Sequence, residues 1–331
     1  MTNFSILMTR YFSEYLSQQR GMSANTKKTY RDVFVQLIIF MQKKKGIREE
    51  KLEITDFNFD VINEFLDELE TEKHFSVSTR NNRLAAIKSF FRYVSYKDPT
   101  YLATCTSILQ ITKKKSVSRP MNYLTIDTYK DLISHFDMND KKDLRSLAVI
   151  SLMYESAARV SEVCNIKMSD FRMYKPYTLL LHGKGNKDRI VPIDATVMKW
   201  ILAYTEAYDV HDDDYLFFNA RREKLTREGI NYIIKKHISK ARALNPQMYP
   251  KTFSAHCLRH TKAMHLLEND VNLVYIRDLL GHSSVTTTEI YSKANPEVKR
   301  KHLEKASEKI EVDDYTKEEQ SELLEWLKNN I

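Results

Sequence analysis

Apolar residues recur along the first hundred positions at steps of three and four. Leu84, Ile87, Phe91 and Val94 form one stripe. Val61, Ile62, Phe65, Leu66 and Leu69 form a second, and Val33, Phe34, Leu37, Ile38 and Met41 a third. That spacing keeps side chains on one face of an α-helix, so each stripe predicts an amphipathic helix turned towards a core. The segments between them are short, which predicts a compact bundle of four or five helices. The periodicity stops at Thr112-Lys-Lys-Lys-Ser-Val-Ser-Arg-Pro120, a polar, basic, proline-closed stretch that predicts a domain boundary. A second, mainly helical region follows with one interruption. The β-prone runs Tyr177 to His182 and Arg189 to Ile193 flank Gly183-Lys-Gly-Asn-Lys-Asp188, the pattern of a β-hairpin. Helices resume near Ala195. At the end Thr316-Lys-Glu-Glu319 fits a capping box, and Leu323, Leu324 and Leu327 line one face of a short helix. The expected organisation is a helical domain over 1–111, a linker over 112–122, a larger mostly α domain with a small β-hairpin over 123–307, and a tail helix over 308–331.

With 42% hydrophobic residues the chain can build real cores, which excludes wholesale disorder. No apolar run approaches the roughly 20 residues that cross a bilayer, and the first residues lack the features of a secretory signal. Three scattered cysteines (Cys105, Cys164, Cys257) offer neither a disulfide framework nor a CxxC metal pair. A cytoplasmic protein with no membrane partner is expected. Net charge is +8 and favours a polyanionic partner. Basic residues dominate up to the middle of the chain, whereas Glu308 to Glu325 is acidic, a segregation that a uniform solubility coat would not show.

Glycine is scarce, six in all, so its placement carries information. Gly183 and Gly185 flank Lys184 at the hairpin tip, and Gly281 precedes His282. A glycine turn explains the two glycines but not the lysine between them. A P-loop is rejected, since the GxxxxGK[ST] spacing is missing and a hairpin follows in place of a helix. In Ser254-Ala-His-Cys-Leu-Arg-His260, which opens a helix, His256 and Arg259 lie three apart on one face and can address the same oxygen cluster. His256 and His260 lie four apart, as in zinc sites, but Cys257 stands where a glutamate would follow and no third ligand is evident. No metal is assigned. Arg159 sits at a helix start with Glu162 three residues on, placed to hold it.

Singly these signals are weak; their order is specific. Arg159, Lys184, His256-x-x-Arg259, Leu280-Gly-His282 and Tyr291, nine residues later, resemble the tyrosine recombinase (phage-integrase) family over roughly residues 5 to 305. "ARVSEVCNI", "GKGNKDRIVPI", "HCLRHTKAMHLLEND" and "LLGHSSVTTTEIYSK" carry the match. The resemblance implies an N-terminal helical SAM-like core-binding bundle and a catalytic domain that close on DNA as a C-shaped clamp. It implies Tyr291 as nucleophile, Arg159 and Arg259 on the non-bridging oxygens, His256 as acid–base or hydrogen-bond partner, His282 on the phosphate and Lys184 as general acid. The chemistry agrees. A phosphodiester gains negative charge as it becomes five-coordinate, and fixed guanidiniums match it. A phenol with a pKa of about 10 needs such help to attack. No cofactor is implied, neither ATP nor metal. Cys257 stands where relatives often have aspartate and Asp270 where glycine is common; a core-facing cysteine and a left-handed aspartate leave catalysis intact.

For DNA binding, the helical stretches 23–31 and 78–88 supply Thr26, Lys27, Lys28, Tyr30 and Arg31, and Thr79, Arg80, Asn82, Arg83 and Lys88. They are read as basic, hydroxyl-rich faces opposite apolar ones, with Lys113, Lys114 and Lys115 following the backbone across the linker. The small domain is expected to begin within a few residues of Met1, leaving no room for an extra arm-binding domain and favouring an Xer-like or transposon-encoded simple recombinase. The implied partners are duplex DNA at a short inverted-repeat core site and a homotetramer on synapsed DNA, a dimer per site. Accessory proteins that set direction are compatible with this reading. The tail helix is expected to dock on a neighbouring subunit. Rival readings are a type IB topoisomerase, with similar chemistry but no site pairing, and a non-catalytic DNA-binding regulator.

Overall fold

A computed structural model describes residues 2–116, 121–183, 187–282, 284–294, 300, 325, 326, 328 and 329. Lys184, at the hairpin tip, and the stretch read as a tail helix from 308 to Leu324, together with Leu327, lie outside the described residues. The chain divides into two compact units, Met1–Arg119 and Pro120–Ile331.

The first unit is all helical: α1 (Asn3–Arg10), continued as π-helix over Tyr11–Gln19, then α2 (Ala24–Lys45), α3 (Phe59–Thr71), α4 (Val77–Lys97) and α5 (Leu102–Gln110). Its helices start where short polar side chains satisfy the free backbone N–H groups of the first turn. Ser23 accepts from Thr26 N, Asn58 from Val61 N and Ser76 from Thr79 N. Helix α2 ends on Gly46 at φ +69°, a left-handed turn that glycine adopts without strain. The three stripes read from the sequence supply the core, with Leu37, Phe65, Leu66, Leu84, Ile87 and Phe91 fully buried. Aromatic rings join them: Tyr11, Phe34, Phe90 and Phe91 meet edge to face at 5.2–6.4 Å between centroids.

The second unit holds α6 (Ile126–Ser134), α7 (Lys141–Ser156), α8 (Val160–Val163), α9 (Ala195–Tyr208), α10 (Arg227–Leu244), α11 (Ala255–Glu268), α12 (Leu273–Leu280) and α13 (Glu289–Ala294). Helix α7 is buried on nearly all sides from Leu144 to Ser156 and packs against α9 and α11. The hairpin is present as β2 (Thr178–Leu181) paired antiparallel with β3 (Arg189–Pro192), Leu179 opposite Val191 and Leu181 opposite Arg189. A third strand, β1 (Phe171–Arg172), adds to β2 and makes the order β1-β2-β3. Leu179, Leu181 and Val191 point from one face of this sheet into the core, while Ile190 stays exposed. The sheet thereby delivers Arg189 to the end of α12. Cys257 packs against the main core of this unit, and Asp270 takes the left-handed conformation at φ +61°. Among the described residues no helix is long and apolar enough to cross a membrane.

Candidate active site

Helix α7 ends at Ala157, which adopts φ +47°, a left-handed conformation rare for a residue with a Cβ. The chain turns there and presents Arg159 as the residue that opens α8. Glu162, one turn on, accepts hydrogen bonds from the Arg159 backbone N (2.9 Å) and from its Nη1 (2.8 Å). Arg189 comes in from β3 and donates to both oxygens of the same carboxylate, Nη1 at 3.2 Å and Nη2 at 2.8 Å. Burial tends to raise the pKa of Glu162, but the hydrogen bonds from Arg189 and Arg159 outweigh it and hold the carboxyl below its ordinary value. Glu162 is therefore the anion that fixes two guanidiniums.

Those guanidiniums, with Arg259 from α11, converge on the C-terminal end of α12. Arg189 Nε donates to Leu279 O (2.8 Å), Arg259 Nη2 to Leu280 O (2.6 Å) and Arg159 Nη2 to Gly281 O (3.1 Å). Three successive carbonyls, the unsatisfied negative end of a helix, each receive one arginine. Arg259 is 1% exposed and also donates Nη1 to Ala157 O at 2.8 Å, so the left-handed turn is tied to the same guanidinium. Burial, and then the nearby Arg159, push the pKa of Arg259 down to about 10, which leaves it protonated at neutral pH. Gly281 closes α12 at φ +62° with Arg189 packed beneath it; an added Cβ would lie 3.1 Å from Arg189 Nη1. This turn sets the direction of His282, whose Nδ1 is 3.1 Å from Thr288 Oγ1. Burial, followed by the fields of Arg259 and Arg159, holds His282 at about 4, neutral at physiological pH. Arg159, Lys187, Asp188, Arg189, Gly281 and His282 line an open cleft of about 420 Å³.

Helix α11 carries the rest. Arg259 turns inward, while His256 and His260, one turn apart, stack edge to face at 4.2 Å between ring centroids. Tyr291 in α13 is 1% exposed, and its Oη lies 3.0 Å from His260 Nδ1. Burial raises the Tyr291 phenol above its ordinary value, against the opposing field of Arg259. His256 is lowered by desolvation and by Arg259 and Arg159, and His260 falls to about 4 through burial and then its neighbours His256, Arg259 and His282.

Of the six residues singled out in the sequence, Arg159, Arg259 and His282 meet at the end of α12, while His256 and Tyr291 are linked through His260. Lys184 lies outside the described residues. Two contributors escaped the sequence reading. Arg189 carried one signal, a lone charge opening an apolar β-run; His260 carried another, its four-residue step from His256, which was weighed only as a zinc spacing. Among the described residues no cluster of histidine, cysteine and carboxylate side chains is arranged to hold a metal.

The residues expected to face DNA divide by geometry. Arg80, expected on an open basic face, is instead 3% exposed, with Nε 3.6 Å from Glu70. Its position on α4 turns it under the linker, where Lys114 Nζ also reaches Glu70 and Asp67. Lys88 Nζ donates to Leu109 O at 2.6 Å, and burial lowers its pKa. Arg83 donates to Gln36 and lies 4.6 Å over the Phe75 ring, Lys27 donates to Ser17, and Tyr30 packs on the core. Thr26 and Thr79 pair with the cap residues Ser23 and Ser76. Lys28, Asn82, Lys113 and Lys115 are exposed, as is Arg31 beside Asp32.

A largely buried arginine cluster beside a tyrosine and neutral histidines is the equipment of phosphoryl transfer, with a side chain at hand to serve as nucleophile. The comparisons with known proteins agree. Residues 122–297 match the model of the phage integrase family, and residues 10–96 match that of its N-terminal SAM-like domain. The chain is 33% identical over 301 residues to the putative integrase/recombinase y4rC of Sinorhizobium fredii, covering 91% of each. It is 34% identical over 251 residues to the tyrosine recombinase XerA of Thermococcus onnurineus, covering 75% of this chain and 80% of that one. Its fold is similar to that of the XerH site-specific recombinase bound to palindromic difH substrate in a post-cleavage complex. The TM-score is 0.65 at 25% identity, over 82% of this chain and 77% of that one. The chain belongs to the phage integrase family: it is a tyrosine recombinase, an enzyme that cleaves and rejoins DNA.

Proposed function

We propose that this recombinase joins itself to the 3′ end of a cut strand through Tyr291 and exchanges strands between two paired sites by way of a Holliday junction. The observation that carries the reading is the convergence of Arg159 and Arg259 on the α12 terminus beside His282, with the Tyr291 phenol held from the same helix as Arg259. Arg159 and Arg259 neutralise the non-bridging oxygens of the scissile phosphate, and His256 and His282 hydrogen-bond to it as neutral imidazoles. Lys184 protonates the departing 5′ oxygen. The phosphotyrosine link conserves the energy of the broken bond, so rejoining draws on no nucleotide.

The substrate in this reading is duplex DNA at a short inverted-repeat site, held by a dimer and synapsed as a tetramer in the cytoplasm. Integration and excision of a mobile element, and resolution of DNA multimers, are the processes it serves. Lys28, Asn82, Lys113 and Lys115 are exposed side chains that meet the backbone, joined by Arg31 once it turns from Asp32, a salt-sensitive contribution to affinity. The catalytic domain extends to about residue 307 in this scheme, and the segment after it serves contact with a neighbouring subunit.

The test is covalent capture. Wild type and Tyr291→Phe are incubated in EDTA with supercoiled plasmid carrying the DNA that flanks the native gene, then quenched with detergent. The expected result is a protein–DNA adduct from wild type alone, mapped to Tyr291, whose DNA ends reveal the site. Adduct from both proteins would place the nucleophile elsewhere. Relaxed plasmid without exchange between two sites would favour the topoisomerase reading.

A further inference from the structure

We propose that His260 is the base for the nucleophile: its Nδ1 takes the phenolic proton of Tyr291 as the phosphotyrosine bond forms, and returns it when the strand is rejoined. The inference rests on the reading of Tyr291 as nucleophile and adds a residue to that reading. Its ground is contact. The Tyr291 Oη lies 3.0 Å from His260 Nδ1. At 1% exposure the side chain is shut off from bulk water, so the proton must pass to a group inside the protein. The other imidazoles are occupied differently. His256 touches His260 edge to face, and the Nδ1 of His282 bonds with Thr288 Oγ1.

The protonation state suits the role. Burial, His256, Arg259 and His282 keep His260 neutral at physiological pH, and the neutral tautomer with its proton on Nε2 is the one whose Nδ1 lone pair meets the phenol O–H. Before substrate arrives, a raised phenol faces a lowered imidazole, and the proton stays on oxygen. A phosphate seated on Arg159 and Arg259 brings negative charge against Arg259, the guanidinium that lowers His260, and so favours the imidazolium. Substrate binding thereby activates the base, and a Tyr291 without DNA stays protonated.

The step balances. The Tyr291 Oη–P bond forms as the P–O5′ bond breaks. The phenolic proton moves to His260 Nδ1, and the departing 5′ oxygen takes its proton from the general acid. In the reverse direction the 5′ hydroxyl attacks and returns its proton to the general acid, the Oη–P bond breaks, and His260 gives its proton to the leaving phenolate.

The test separates the two proton transfers. The captured target site is made as a duplex with oxygen, or with sulfur, at the bridging 5′ position of the scissile phosphate. A thiolate leaves without a proton, so the sulfur substrate removes the need for an acid and keeps the need for a base. His260→Ala is expected to lose on the order of 10²–10⁴-fold in adduct formation on both substrates, with unchanged DNA binding. Recovery to near wild-type rate on sulfur would place His260 on the leaving-group side and overturn the proposal, as would wild-type rates on both. His260→Gln guards against a folding defect, since its amide oxygen can accept the phenol hydrogen bond but cannot carry the proton away. It is expected to be folded and slow, and a fast His260→Gln would reduce His260 to a positioning residue. Tyr291→Phe, run beside these, reports on the nucleophile separately: adduct from that variant removes the underlying reading whatever His260 does.

Discussion

Arg189 shows how much one side chain can organise. It is 10% exposed, spans Glu162 bidentately and holds the carbonyl of Leu279 with its remaining nitrogen. Lysine keeps the charge but cannot reproduce a planar fork with donors on both sides. Arg189→Lys is therefore expected to lose the hydrogen bond to the Leu279 carbonyl or part of the fork on Glu162, at a cost of about 1–3 kcal/mol. Urea denaturation would read that loss. Adduct formation is expected to fall at least ten-fold while gel-shift affinity for the site holds, because Glu162, which holds Arg159, loses half of its own anchoring and the phosphate contacts elsewhere remain. Glu162 was legible beside Arg159, since a three-residue step at a helix start predicts the contact. Arg189 was not, because its partners lie 27 and 90 residues away in the chain and only the fold brings them close. The same holds for His260, whose partner Tyr291 is 31 residues on.

At the scale of elements, the end of α12 is the joint on which the site turns. Gly281 satisfies two demands at once, a positive φ and room for the Arg189 guanidinium. Gly281→Ala meets neither, and the left-handed penalty alone costs about 1–2 kcal/mol. The Cβ also presses on Arg189, so a lowered melting temperature is expected together with slower adduct formation. A melting temperature unchanged within error would show that the turn relaxes freely. Helices and the hairpin were readable because apolar period and turn residues mark them, and the caps at Ser23, Asn58 and Ser76 follow the same local rules. Strand β1 was missed because two residues show no alternation. The π-helical continuation of α1 leaves the apolar pattern looking like an ordinary helix. Arg80 was misplaced for a related reason, since period alone does not say that a linker will fold back over the basic side of α4.

For the molecule as a whole, acid is the sensitive variable. His260 and His282 are each held at about 4 in the folded chain against an ordinary value of 6.5. Between those values the unfolded chain binds protons that the folded one refuses, so stability is complete above about pH 6.5 and declines as pH falls towards 4. The cations that face these rings, Arg159 and Arg189 from α8 and β3 and Arg259 from α11, stay charged throughout. Glu162, whose folded pKa is depressed, adds a loss in the same direction as pH falls further. Melting temperatures measured from pH 8 to pH 4 are expected to be level and then fall, with a shallower fall in His282→Asn. An equal slope in that variant would assign the acid sensitivity to other groups. The arginine cluster also has a consequence for what it binds best. Three guanidiniums less the one Glu162 carboxylate leave two positive charges, since the neighbouring histidines are neutral. A resting phosphodiester brings one negative charge and the five-coordinate state two, so these fixed cations grip the crossing more tightly than they grip DNA lying quietly among them.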